Sequence, residues 1–597
     1  MRRWHVWAAA GMVALVLFLA GWLVLAPGWA IGVTRDMVSA QLGRRLDVTG
    51  GAYLQLSPLA VRLDGVKLAG PSEDSDAMVT AASMTIPVSP GQLLGRTLDV
   101  SNISLEQASI GFLIDDRGQA NWAFAPQVPG GAIRISLTES SLRYFDSRNG
   151  QALSMSDAAL AVDIAANGET TLRGTAAIKG RLARVEAFIK AMNRVHGDGS
   201  PFDLSLSAPD LSFVFNGRLA TAKVLSLSGT ASVSGPGLHA ALRWAGIETG
   251  REGRADDFSL SGAFDSAGRA FAMKQAELVL GPHAAQGSLS LDTRAERPKF
   301  EAVLAMDTLD LGAFLPESGA APDGWGRNPL GLGAIRSADA AIAVTAQKAA
   351  YANREAGPAR VTATIAGGRL DSRLDFPAIA GGAADIQASI DAAATPPAAS
   401  LAVRAEGVDL AQLLPFAGLD WLSGRGSFAV SMQATGNTQQ ELVGTSRGEA
   451  SASLSGGAIS GTDIAATLSE ASQRIVEGWA LKEPARTNAD TLSARFTIAD
   501  GIASLADFSL RNSILTMTAT GEIDLLRRSL DLRADPRLFT GTDGQTVGLP
   551  VPVVVSGPWQ RPLIHPDLKD IRTNPAAAFE ALKTMGLPEA TAVAPGN

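Results

Sequence analysis

From Leu46 almost to its end the chain returns to one pattern, a short run in which apolar and small polar residues alternate, closed by Gly, Asn or Asp. A period of two places every second side chain on the same side of an extended strand. Each run therefore specifies a strand with one apolar face, and that face has to be hidden against something. Tyr53, Leu54 and Leu56 lead to Leu59, Val61 and Leu63, with Asp64-Gly65 read as a turn. The pattern continues through residues 98–113, 133–144 and 160–164, broken at Asp116-Arg117-Gly118 and Arg148-Asn149-Gly150. It recurs at 204–215, 225–233, 258–264, 278–291, 361–376 and 401–408. Leu492, Ala494, Phe496 and Ile498 alternate before Asp500-Gly501, and Phe508, Leu510, Leu515, Met517 and Ala519 precede Gly521, with Leu530 and Leu532 beyond. The expected fold is mainly β.

A few stretches have helical spacing instead. Residues 31–42 carry Val33, Met37, Val38 and Leu42 on one face and stop at Gly43. Leu182, Val185, Phe188, Ile189 and Met192 form a second stripe, and Ile464, Leu468, Ile475, Val476 and Trp479 a third behind Thr462. Asn574 and Pro575 open a last one, with Phe579 and Leu582 on one side. Each is expected to pack over the end or side of a sheet.

Ahead of all this, residues 6–26 contain no charge; Arg2 and Arg3 precede them, His5 sits at their edge, and the next charge is Arg35. At about 1.5 Å per residue the run reaches roughly 30 Å, enough to cross a bilayer once. Gly28-Trp29-Ala30 offers small residues for a signal peptidase, but a secretory apolar region is only about 7–15 residues long. Trp22, Pro27 and Trp29 suit an interface, so a retained transmembrane anchor is expected. Positive charge before the helix predicts a cytoplasmic N-terminus and a bulk on the far side.

With 597 residues the chain exceeds one ordinary core. Residues 316–333, rich in Pro, Gly and Asn, are the best internal linker. The expected organisation is an anchor at 1–30, an N-terminal β region at 31–315, the linker at 316–333, a C-terminal β region at 334–586 and a tail at 587–597. Residues 392–399 read as a turn between strands. Lys and Arg total 51 against 59 Asp and Glu without blocks of either sign, which leaves no footprint for nucleic acid. There is no cysteine, so disulfides and thiolate metal sites are excluded.

Signals for chemistry are sparse. Gly444-Thr445-Ser446-Arg447-Gly448 fits the G-x-S-x-G form of a nucleophile elbow, but that motif requires a strand turning into a helix, and here an alternating strand follows it. His5, His196, His239, His283 and His565 are too dispersed to pair as metal ligands. Asp115-Asp116 and Asp256-Asp257 sit in turn-like surroundings. No catalytic, cofactor-binding or metal residue emerges, no cofactor is implied, and the chain is read as not an enzyme. Hydrophobic residues make up 46% of it and aromatics only 6%, which suits either a sandwich of two sheets or a groove with a smooth aliphatic wall. Periodicity leaves both open, and with them the residues that would line a groove.

The chain resembles the AsmA family of envelope proteins. The likeness rests on the membrane helix, a short amphipathic helix ending in Leu42-Gly43-Arg44-Arg45-Leu46, the stretch from Leu56-Ser57-Pro58-Leu59 to Leu63-Asp64-Gly65-Val66, and a strand closing on the Tyr144-Phe145-Asp146 turn. It continues in residues 410–426 and 444–463, in Asp500-Gly501 and Gly521-Glu522-Ile523-Asp524-Leu525, and in the Pro/Val-rich 549–558, completed by Arg561-Pro562. The resemblance implies an inner-membrane protein, N-terminus in the cytoplasm and bulk in the periplasm. It also implies an elongated, curled antiparallel sheet forming a hydrophobic groove, as in the chorein-type lipid-transfer proteins. Expected partners are phospholipids, the inner membrane and outer-membrane or assembly components, in phospholipid transport and outer-membrane biogenesis. The alternatives are a scaffold for outer-membrane protein assembly and, more remotely, a serine hydrolase through Ser446.

Overall fold

The computed structural model describes residues 14, 31–36, 44–70, 77–95, 99–122, 131–191, 194–238, 257–311, 324–351, 354–413, 422–460, 486–540, 545–547, 552–567 and 573. The chain divides into two compact units, one of Met1–Pro282 with Gln286–Arg294, the other of His283–Ala285 with Ala295–Asn597. The division precedes the stretch 316–333, whose described part, from Gly324 on, lies within the second unit.

The first unit is built on β1 (Leu46–Leu56), β2 (Leu59–Leu68), β3 (Val79–Pro87), β4 (Asn102–Glu106), β5 (Ser109–Ile114), β6 (Ile133–Asp146), β7 (Gln151–Ile164), β8 (Thr170–Ile178), β9 (Arg181–Ile189), β10 (Ser200–Ala208), β11 (Leu211–Ala220), β12 (Ser226–Gly235), β13 (Phe258–Ala267) and β14 (Ala270–Leu280). Consecutive strands pair antiparallel, with one exception. β4 and β5 lie end to end, antiparallel to β3 and parallel to β6. A parallel step needs a crossover connection, supplied by the residues between Ile114 and Ile133. β15 (His283–Asp292) straddles the division.

The second unit repeats the plan with β16 (Lys299–Asp310), β17 (Asp339–Tyr351), β18 (Arg354–Ala356), β19 (Ala359–Ala366), β20 (Arg369–Ile379), β21 (Gly382–Asp391), β22 (Ala398–Asp409), β23 (Leu422–Thr435), β24 (Arg447–Ser460), β25 (Arg486–Ala499), β26 (Ile502–Arg511), β27 (Leu515–Asp524), β28 (Ser529–Thr540), β29 (Gln545–Val547), β30 (Val553–Pro558) and β31 (Leu563–Pro566). β16 and β17 run parallel, and from β17 onward the ladder is an antiparallel meander.

The expected mainly-β fold with a few helices is therefore present. Helix is found at residues 31–36, where Ile31 and Val33 pack on the first core and Arg35 Nε donates to Leu46 O at 3.2 Å. Among the described residues no helix is long and apolar enough to cross a membrane. Residues 6–26, apart from Ala14, lie outside them, as do the helical stripes at 464–479 and 574–582.

Two sequence expectations are corrected. Arg181–Ile189 is strand β9, not helix. Ala183 and Val185 are buried while Arg184 and Glu186 are exposed, a period of two that the spacing of Leu182, Val185 and Ile189 obscured. Leu182, counted in the helical stripe, is 60% exposed. Asp64-Gly65 is not a hairpin turn either: it lies inside β2, where Gly65 at φ +62° faces a register shift between Val48 and Gly51. This is a β-bulge, and the hairpin turn falls at Ser57-Pro58.

Each unit is tied together across its strand ends. In the first, Asp146 at the tip of β6 is fully buried and accepts from Arg148 Nε at 2.9 Å, Arg148 Nη2 at 2.8 Å and Asn149 Nδ2 at 3.1 Å. Arg148 then reaches distant backbone, donating to Ala222 O at 2.7 Å and Thr221 O at 3.1 Å. Trp122, from the crossover, packs edge-on to Phe112 and His196 and tilted against Tyr144. In the second unit the crossover places Trp325 Nε1 at 2.8 Å from Leu525 O, with the Arg528 guanidinium 4.6 Å over its ring. Leu330 N donates to Asn437 O, and Arg336 Nε to Ala392 O, so the same segment touches several hairpin turns.

The Asp146 latch makes a prediction. Removing one partner of a buried ion pair costs about 3–5 kcal/mol, so Asp146→Ala is expected to lower first-unit stability by that order in urea unfolding. Hydrogen bonds from the Arg148 side chain hold the Asp146 carboxyl below the usual carboxylate range. Its stabilisation is thus complete above the unfolded-state pKa and is lost as pH falls through the lower folded value. Asp146→Asn should flatten that part of the acid-unfolding profile, and an unchanged profile would rule the latch out as its source.

Candidate functional site

Residues directly opposite one another in paired strands share a face of the sheet. In the first unit one line of partners runs Ala52, Leu63, Met84, Leu105, Leu137, Leu160, Gly174, Val185, Leu206, Phe213, Val233, Leu260 and Leu278. It crosses β1 to β14 without one polar side chain. Gly174, the single gap, has φ +150°, and a Cβ there would stand 2.1 Å from Ala159 O. Only glycine fits the backbone approach that keeps the row in register.

The second unit has the equivalent line: Leu304, Val344, Val361, Leu374, Ile386, Val403, Val430, Ala450, Phe496 and Leu505. From Leu304 to Phe496 every member is partly exposed. The opposite face of these strands is polar, as β19 illustrates, where Arg360, Thr362 and Thr364 are exposed while Val361, Ala363 and Ile365 are partly covered. Fully buried side chains collect instead toward one end of the strands, where Val408, Leu410, Leu510 and Leu515 form the core. A face covered by a second sheet would be buried along its whole length. This one is closed at one end and left accessible along its middle.

The electrostatics match. No ionisable residue stands in either line. Tyr144, beside Trp122 at one end of the first unit's apolar face, has its phenol pushed up to about 12, chiefly by burial, and stays neutral at ordinary pH. A depression of about 340 Å³ on the polar side is lined by Ser427, Ser451, Ser453 and Ser493 between Arg404 and Arg495.

The residues that sequence reading raised for chemistry do not converge. Ser446 is 5% exposed, and its Oγ donates to Val443 O at 2.8 Å. It follows the short helix Gln439–Gly444 and leads into β24, the reverse of the strand-to-helix order of a nucleophile elbow. His196 Nδ1 lies 3.1 Å from Thr221 Oγ1, His283 lies 4.0 Å from Asp310, and His565 sits on β31 opposite Val554. His5, His239 and Asp256 are outside the described residues. Asp115 caps its own turn, accepting from the backbone N–H of Arg117 and Gln119. Among the described residues no three His, Asp or Glu side chains are grouped to hold a metal ion.

What the fold and face define is a class: a mainly antiparallel β protein, each of whose two units carries its own partly open apolar row. The model of the AsmA family matches residues 1–128 and 279–508, more than half of the chain, and the protein belongs to that family. No curated protein and no solved structure matched it. The apolar row runs unbroken through β6 to β14, which fall almost entirely between the two matched segments.

Accessibility can be tested by truncation. Leu510→Ala, at a fully buried site, should cost about 2–5 kcal/mol. Leu374→Ala, partly in water already, should cost about 1 kcal/mol or less, at roughly 25 cal/mol per Å² of apolar surface. Equal losses in denaturant titrations would mean that something covers the face.

Proposed function

We propose that this protein binds the acyl chains of phospholipids along its apolar strip, and that it supports phospholipid transport and envelope biogenesis from an inner-membrane anchor at residues 6–26, its bulk in the periplasm. The observation that carries the reading is the uncharged row of the second unit, partly exposed from β16 to β25. Alkyl chains ask nothing of such a wall but the exclusion of water. Headgroups remain in solvent, so binding requires no hydrogen-bonding site and no cofactor.

The dimensions are compatible. Nine strands at about 4.8 Å spacing give an accessible strip of roughly 38 Å. One leaflet of a bilayer core is about 15 Å deep, half of the ~30 Å total. The strip therefore has room for more than one chain in file. Membership of the AsmA family supports an envelope role, and the disposition of Ser446 supports a passive binder rather than an enzyme. A scaffold for outer-membrane protein assembly would be expected to close its interior with side chains, and the partly exposed row weighs against it.

Purification without detergent followed by lipid mass spectrometry tests the proposal. Co-purifying phospholipid, reduced several-fold by Leu374→Asp with Val403→Asp but not by Thr362→Asp on the polar face, is the expected result. A body that carries no phospholipid and does not shield a labelled one would refute it. Ser446→Ala should leave lipid content unchanged.

A further inference from the structure

Two adjacent lines of the first unit exchange their exposure along the sheet. The row through Leu105, Leu137, Leu160 and Val185 is buried from β4 to β9, the last two side chains each 2% exposed. From β10 onward its members Leu206, Phe213, Val233, Leu260 and Leu278 are all partly exposed. The neighbouring row, two residues along each strand, runs Ile103, Ile135, Val162, Leu172, Ala187, Leu204, Phe215 and Ala231. It does the opposite, with Ile103 to Leu204 partly exposed, then Phe215 at 0% and Ala231 at 4%. On β10 both rows carry a partly exposed side chain, at Leu204 and Leu206; on β8 the first row is represented only by Gly174, and buried Val185 closes that row on β9 before β10 is reached.

The cause is a pair of cores on opposite sides of the strip. Beside β2 to β9, Leu63, Ile86, Leu137, Leu160 and Val185 belong to one packed cluster. Beside β10 to β14 the second is aromatic: Phe215 lies 6.0 Å from Phe202 and 6.0 Å from Phe264. Phe202 and Phe264 flank the opposed pair Gly217 and Gly229 across four strands. A Cβ on Gly217 would meet the Phe215 ring at 2.7 Å, so these glycines make the room that the rings fill. Phe215 thereby blocks the second row at β11.

We infer that the acyl path of the first unit is a diagonal, following the Ile103 to Leu204 row as far as β10 and crossing there to the Leu206 to Leu278 row. The inference rests on the acyl-binding reading above. The occupant is a linear, uncharged alkyl chain, because neither row offers an ionisable or hydrogen-bonding side chain. Each arm suits about one chain, roughly 24 Å over five strand spacings and roughly 19 Å over four, against about 15 Å of leaflet depth. The lateral step between rows is only about 7 Å, two residues along β10. β10 is thus the place where a chain passes from one arm to the other.

Diazirine side chains placed singly in the full-length protein in phospholipid vesicles test the path. Labelling is expected at Ile135, Leu172, Leu260 and Leu278, several-fold above Leu137, Leu160, Phe215, Ala231 and the polar-face control Ser232. Because substitution at buried sites threatens folding, a second measurement uses a partly exposed one: Leu206→Glu, in protein that keeps native protease resistance, should lower labelling at Leu260 and Leu278 several-fold and spare Leu172. Labelling of Leu137 and Leu160 alongside Leu260, in variants that keep native protease resistance, would show a straight path and overturn the diagonal. If no position on either row is labelled, acyl binding itself fails and the diagonal falls with it.

Discussion

Strand register is the constraint on which everything else in this protein depends. Side chains alternate faces along a strand, so a slip of one residue between neighbours would turn an apolar line to the polar side. The first unit keeps one line apolar from β1 to β14, passing through every strand but β5, and it does so through bulges rather than despite them. The shift between Val48 and Gly51 and the one between Ser156 and Ala159 restore the facing of Ala52 and Leu160 after an extra residue. Gly174 then admits the close backbone contact that the second of these shifts creates. Local irregularities are thus what make the long-range pattern regular.

A sheet with one apolar face and no opposing sheet would ordinarily collapse or aggregate. Here the ends are secured instead of the face. Asp146 and Arg148 join the tip of β6 to backbone more than seventy residues away, and the crossovers seat Trp122 and Trp325 against strand ends in their own units. Each tie stands beside or outside the apolar lines, so the strip is spared while the ladder is fixed. The packed clusters serve the same division. They fill one side or one end of each unit and leave the remainder of the apolar face to another occupant.

Much of this was legible in the residues. Alternation announced the strands and the aliphatic character of one face, and the strand ending in Tyr144-Phe145-Asp146 was recognisable, although its turn falls just after it, at residues 147–150. Misreadings arose where two periods coincide. Leu182, Val185 and Ile189 satisfy a helical spacing while Ala183, Val185, Ala187 and Ile189 satisfy a strand, and only hydrogen bonding to β8 and β10 distinguishes them. Asp64-Gly65 has turn composition in the middle of a strand, because a bulge and a hairpin turn place the same demand on glycine.

The sequence by itself determined the strand content, the chemical character of the two faces, the absence of thiol chemistry and the presence of a membrane-length apolar segment, since each depends only on residues near one another in the chain. Which inward positions are sealed and which remain open was decided by the tertiary structure alone. Leu160 and Leu172 are equally apolar and sit on paired strands, yet one is buried in a core and the other faces the accessible strip. That difference arises from partners distant in sequence, from the bulges that set their register and from the ring of Phe215 that closes one row where its neighbour opens.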